Sequence, residues 1–201
     1  GTLGSKSNLN QTVNNKENNS NGTIQIDYTK NLKKNMRFES GVKTILRDLS
    51  VNSYSKEQDT ISNEFVLNQL SNFDYSYKEQ VYAVYSTLGQ VIGKFKYQAG
   101  LRAEQAYQLP YLISQDLKYT NDYFKVYPSA HIKFNPKNKQ EWSLSYSKRI
   151  NRPTPGQLNP FSNYSDPFNL RKGNPALKPE FIDSYDLGYA FEKDKFSLTS
   201  S

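Results

Sequence analysis

The chain has 201 residues, enough for one domain or at most two, with a net charge of +7 and 35% hydrophobic residues. No apolar run approaches the roughly 20 residues of a spanning helix, and with a mean hydropathy of −0.83 this excludes a helical membrane protein. A membrane barrel stays open, because its strands alternate apolar and polar side chains and so average to hydrophilic. Cysteine is absent, which removes disulfide frameworks, cysteine-bound zinc and thiol nucleophiles.

Gly1-Thr2-Leu3-Gly4 lacks the basic start and apolar core of a signal peptide. Together with the strand-like pattern from Phe196 to the last residue, this leads us to expect an excised portion of a longer protein. Residues 1–22 are expected to form a flexible loop, since 5–22 are rich in Asn, Ser and Lys. The N-x-S/T triplets at Asn10, Asn18 and Asn21 follow from that composition.

From Thr23 the period becomes two. Ile24, Ile26 and Tyr28 alternate with polar neighbours, 31–35 turn, and a strand climbs from Met36 to Leu46. Its alternation falters near Gly41, where a bulge or close approach is expected. Residues 48–76 are read as a long loop, with helical spacing over Glu64–Leu70. Phe73 to Leu88 enters the next strand, 89–93 turn tightly, and Phe95, Tyr97, Ala99, Leu101 and Ala103 face one way against Lys96, Gln98, Arg102 and Glu104. A loop over 107–122 precedes a strand from Tyr123 to Phe134, a turn at 135–139, and the return through Trp142, Leu144 and Tyr146. Six prolines then forbid a regular ladder over 150–180. Phe181 to Phe191 is a strand, 192–195 turn, and Phe196 and Leu198 begin another.

Short connections (31–35, 89–93, 135–139, 192–195) thus alternate with long ones (48–76, 107–122, 150–180), as in transmembrane barrels. Aromatics crowd the strand ends beside the short turns: Tyr28 and Phe38, Phe95 and Tyr97, Phe134 and Trp142, Phe191 and Phe196. One such pair is ordinary hairpin packing, but four at corresponding ends describe an interfacial girdle. The fold class expected is all-β, an antiparallel meander of hairpins forming part of a transmembrane outer-membrane barrel. Its lipid face would carry Ile24, Ile26, Phe95, Tyr97, Leu101, Phe124, Ile132, Trp142, Leu144, Leu187 and Phe191.

No catalytic constellation emerges. His131 stands at an alternating strand position among Ser129, Lys125 and Lys133 with no nucleophile or orienting partner nearby. Neither Asp48 with Asp59 nor Asp183 with Asp186 is spaced as a working carboxylate pair. The glycines at 89, 93 and 100 precede no helix and make no phosphate loop. Lys94-Phe-Lys-Tyr97 interleaves cations with rings, yet alternate strand residues face opposite sides, so nucleic acid is not expected as a partner. No enzyme activity, cofactor or metal is expected.

One run carries more than composition: Asn151-Arg152-Pro153, Gln157-Leu158-Asn159-Pro160-Phe161, Tyr164, Asp166-Pro167, Gly173-Asn174-Pro175, Leu177-Lys178-Pro179-Glu180 and Asp186-Leu187-Gly188-Tyr189. It resembles the outer-membrane β-barrel domain of TonB-dependent receptors, and the likeness extends back to Phe73 through Tyr77-x-Glu79-x-Val81-x-Ala83-x-Tyr85 and Tyr97-x-x-Gly100-Leu101-Arg102-x-Glu104. The resemblance implies uptake of a ligand across the outer membrane of a Gram-negative bacterium. It implies as partners the membrane lipid, the remainder of the barrel and a plug, with residues 1–201 supplying a partial barrel and no plug. The transported ligand stays unnamed, since specificity is not a property of the scaffold.

Residues 150–180 are expected to be ordered by their prolines and by Phe161, Tyr164 and Phe168, with Arg149, Arg152 and Arg171 pairing with Asp166 or Glu180. An isolated portion with open edges and an apolar face is expected to self-associate. The competing reading is a soluble antiparallel β binding module, such as a surface adhesin or glycan-binding domain. In such a domain the apolar faces would meet in one dry core.

Overall fold

A computed structural model of the protein describes residues 10–33, 35–59, 61–67, 72–137, 139–161, 172–193 and 196–200. In chain order the elements are β1 (Gln11–Lys33), β2 (Met36–Gln58), β3 (Phe65–Leu67), β4 (Phe73–Ile92), β5 (Phe95–Leu112), a 3-10 turn (Ile113–Gln115), β6 (Leu117–Lys118), β7 (Asn121–Lys137), β8 (Gln140–Asn151), α1 (Pro155–Leu158), β9 (Glu180–Lys193) and β10 (Phe196–Ser200). Every pairing is antiparallel, and the sheet runs β1-β2-β4-β5-β7-β8-β9-β10 with β3 on β2 and β6 on β5. It curls into a half-barrel.

Register decides what each face carries, because directly opposed residues share a side. Ile26, Val42, Val84, Ala103 and Val126 lie abreast across five strands. Tyr97, Ile132, Leu144 and Leu187 do so across four. All eleven residues expected to meet lipid fall on this one outward face, where Ile24 is 65%, Phe124 62% and Leu101 60% exposed. The buried side chains lie on the opposite, concave face, Tyr75, Tyr77, Glu79, Glu104 and Gln108 among them. The apolar faces therefore do not meet in one dry core, as a soluble sandwich would require.

Rings bound the apolar band at both margins. Near the short connections Phe95 stacks on Phe134 with centroids 4.6 Å apart, and Trp142 lies 4.5 Å from Tyr189. At the other margin stand Tyr82 and Phe124, both abreast of Gln105, while the Tyr146–Tyr185 pair, 4.9 Å apart, lies within the band four residues along β8 from Trp142. Phe124 and Phe134 are ten residues apart on β7. At about 3.4 Å per residue and a tilt of about 40° they span about 26 Å of height, close to the roughly 25 Å apolar band of outer-membrane barrels.

The strands are longer than their sequence pattern announces. β1 and β2 have 23 residues each, where crossing a bilayer takes roughly 9–11. Residues 11–22, expected as flexible loop, are β1, paired from Gln11↔Glu57 onward. Of the expected loop 48–76, residues 48–58 continue β2 and 73–76 begin β4. Of 107–122, residues 107–112 are β5 and 121–122 are β7. The β1 extension is exposed on both faces, so alternation vanishes there while the backbone ladder continues. Those of β2, β4 and β5 bury their concave face, but it mixes Ser53, Ser55 and Gln108 with Leu49, Tyr75 and Leu112 and so shows no hydrophobic period. At 65–67, where helical spacing suggested a turn of helix, the chain is a strand on Lys56–Gln58, and 68–70 lie outside the described residues.

The short connections are tighter than expected: two residues separate the strands at 34–35, 93–94, 138–139 and 194–195. Gly93 has φ +56 there, the positive value a II′ hairpin requires at its first central residue. Register shifts occur at Asn31/Lys33 and Phe134/Lys137 rather than at Gly41. Gly41 is a close approach instead. A Cβ there would stand 2.5 Å from the Tyr85 hydroxyl, which crosses the glycine to donate to Asp27.

Candidate functional site

The proline-rich connection between β8 and β9 folds inward, and its described residues form a strap across the concave face. Local chemistry builds its first turn. Thr154 caps α1, its Oγ1 accepting from Gln157 N at 3.4 Å while Gln157 Oε1 accepts from Thr154 N at 2.9 Å. Pro155 fills the first helical position, where its missing N–H costs nothing. The turn aims Leu158 at the inner wall, where it is fully buried against Leu49, Tyr75, Tyr77 and Leu112. Phe161 stacks on Phe73 with centroids 4.4 Å apart and planes within 6°, and the Tyr75 hydroxyl donates to Pro155 O at 3.3 Å.

A second limb clasps the first. Gly173 N donates to Asn159 O at 2.8 Å and Asn174 N to Gln157 O at 2.7 Å. A Cβ on Gly173 would lie 2.4 Å from Gln157 O, so only glycine permits this approach. Pro175 is buried, and Asn174 Oδ1 accepts from Ala176 N at 2.9 Å. The structure thus brings Asn159, Pro160 and Phe161 against Gly173, Asn174 and Pro175. Tyr164, Asp166, Phe168 and Arg171 lie outside the described residues. Pro153 precedes the cap, and Leu177 and Pro179 lead out to Glu180, which accepts from Asn151 at 3.3 Å. Gly188 and Tyr189 lie in β9, away from the strap; a Cβ on Gly188 would meet Ser143 Oγ at 2.6 Å.

Charge locks the strap's root. Arg152 donates to the carboxylate of Glu104 and, at 2.7 Å, to the Tyr123 hydroxyl. Glu104 is 3% exposed and also holds Arg102 at 2.5 Å. Beside it Glu79, 5% exposed, pairs with Arg47 at 3.4 Å and accepts from Gln108 at 3.0 Å, which also donates to Tyr77 at 3.0 Å. A buried carboxylate is tolerated only when paired and hydrogen-bonded; both are. Arg152 pairs with Glu104, on a strand 48 residues away, and Glu180, one of its two expected partners, bonds Asn151 instead; the other, Asp166, lies outside the described residues. Arg149 bonds Ser147 and Ser184, both at 3.3 Å.

This is a fixed clasp. His131 lies on the inner wall between Gln98 and Ser145, and Asp183 and Asp186 stand on opposite faces of β9. Among the described residues no cluster of His, Cys, Asp or Glu could hold a metal ion. Sequence reasoning missed Tyr75 and Gln108, and it placed Glu79 and Glu104 in a pattern without a role. The signal available was the period-two series Tyr75, Tyr77, Glu79, Val81.

Burial pushes the Tyr75 and Tyr77 hydroxyls well above the ordinary tyrosine range. Their neutral form is therefore favoured in the docked state. That contribution is present below about pH 10, the ordinary tyrosine value, and is lost as pH climbs above it. In an alkaline absorbance titration these two tyrosines should ionise last, and Tyr75→Phe with Tyr77→Phe should delete the final step while leaving the earlier ones.

The family model of the outer membrane protein beta-barrel family matches residues 1–201. No curated protein matches the chain. Among solved structures, the ferric citrate transporter FecA in the unliganded form superposes with a TM-score of 0.61 at 13% identity, over 90% of this chain and 26% of that one. That likeness is one of fold, and the chain spans about a quarter of the transporter's length. An outward apolar band between two aromatic margins, a polar inner wall and a family match over its whole length agree: the chain belongs to the outer membrane protein beta-barrel family and resides in the Gram-negative outer membrane.

Proposed function

We propose that the chain is a segment of a TonB-dependent receptor barrel that takes up a ligand across the outer membrane. In this reading the two-residue hairpins face the periplasm and the long connections face outward. What supports it is the strap: the described residues of the motif run, 151–161 and 172–180, lie against the concave face, held by Leu158 and Arg152. The remainder of the barrel and a plug would complete the lumen. No enzymatic step is assigned to any residue.

Orientation can be read on cells making the full-length protein with any cysteine outside this chain replaced, since residues 1–201 contain none. Ile61→Cys, at a site 94% exposed, should react with a membrane-impermeant maleimide on intact cells. Lys94→Cys should react only after the outer membrane is permeabilised. The reverse pattern would overturn the orientation. Uptake is tested separately: dissipating the inner-membrane proton gradient should abolish ligand accumulation and spare surface binding.

A further inference from the structure

The barrel wall has a seam. β7 and β8 are paired only from Lys137↔Gln140 to Ser129↔Ser147. Past that point β7 continues on β5 to Asn121, and β8 continues on β9 to Asn151. Pro128, where the strands part, brings no N–H to either ladder, and the next residue after β8, Arg152, is drawn inward to Glu104.

The seam opens on a cavity of about 480 Å³ lined by Lys125, Val126, Pro128, Tyr146, Lys148 and Phe181. Five of these occupy outward register positions. Lys125 occupies an inward one, yet its ammonium lies 5.4 Å from the Phe181 ring centroid, having reached through the gap. Lys148 lies 3.5 Å from Asp183, whereas among the described residues no carboxylate pairs with Lys125. The cavity adjoins Phe124, at the margin of the apolar band farther from the two-residue hairpins. Its floor of Val126, Tyr146 and Phe181 is continuous with that band. A net positive pair of ammonium groups above an apolar floor, at headgroup depth, is complementary to one kind of molecule in a membrane.

We propose that this seam binds a phosphorylated lipid of the outer leaflet, its phosphate held by Lys125 and Lys148 and an acyl chain laid along Phe181, Val126 and Tyr146. Naming the leaflet rests on the orientation proposed above; the binding chemistry does not. The test uses the purified full-length protein in detergent and native mass spectrometry with bisphosphorylated lipid A, its dephosphorylated counterpart and inorganic phosphate. The phosphorylated lipid should be retained, the dephosphorylated one lost, and Lys125→Gln with Lys148→Gln should weaken retention about tenfold. The corresponding double Arg variant should restore it. Equal retention of both lipids, or no loss in the Gln variant, would overturn the site. Full displacement of the lipid by millimolar inorganic phosphate would also overturn it, by making the site one for free anions. Should the Gln variant not fold, raising salt on the unaltered protein must weaken retention; unchanged retention sinks the proposal. None of these readouts depends on uptake or on cysteine labelling, so the two readings fail separately.

Discussion

Leu158→Ala is expected to release the strap and leave the sheet in place. The side chain is fully buried among Leu49, Tyr75, Tyr77 and Leu112, and truncating a buried leucine costs about 2–5 kcal/mol through lost transfer energy and the cavity left behind. At about 1.4 kcal/mol per tenfold, a middle value raises the opening equilibrium of this segment more than about a hundredfold. Hydrogen exchange of the full-length protein should therefore accelerate over residues 154–161 and 173–177, with β4 and β5 little changed. Leu177→Ala is the control, since Leu177 is 38% exposed and anchors nothing buried; its effect should stay within about 0.5 kcal/mol. Equal protection in the two variants would mean that the strap is not held by its leucine.

The second large effect separates the two faces of one strand. Leu101 lies near mid-band on the outward face, and Gln98 lies three residues away on the inner wall opposite His131. Leu101→Arg places a charge against hydrocarbon, which costs about 2–4 kcal/mol at the bilayer midplane of a barrel. Gln98→Arg adds the same charge to a polar lumen and should be nearly neutral. Urea unfolding of the full-length protein in lipid vesicles measures both. A soluble domain would reverse the order, because an exposed Leu→Arg change in water is harmless. The same apolar face explains why this chain alone, in water, is expected to self-associate: β1 and β10 end the sheet without meeting, so the band has neither lipid nor closure to cover it.

Side-chain alternation alone determined the faces. From Ile24 to Phe191 every residue assigned to lipid sits on one side, because a strand's period of two leaves no freedom once register is set. The run from Arg152 to Glu180 was also visible as a motif, and its Thr154–Gln157 capping box is local chemistry. Tertiary structure decided three other things. It extended β1 back to Gln11, where both faces are wet, and β2 on to Gln58, where the buried face carries Ser53 and Ser55, so hydrophobic period carries no signal in either. It chose Glu104 as the partner of Arg152, a pairing across 48 residues that no local spacing encodes. It parted β7 from β8 at Pro128, placing Lys125 against Phe181. Periodicity reports which side of a strand is apolar. Which strand stops pairing, and what folds in behind it, depends on contacts between residues far apart in the chain.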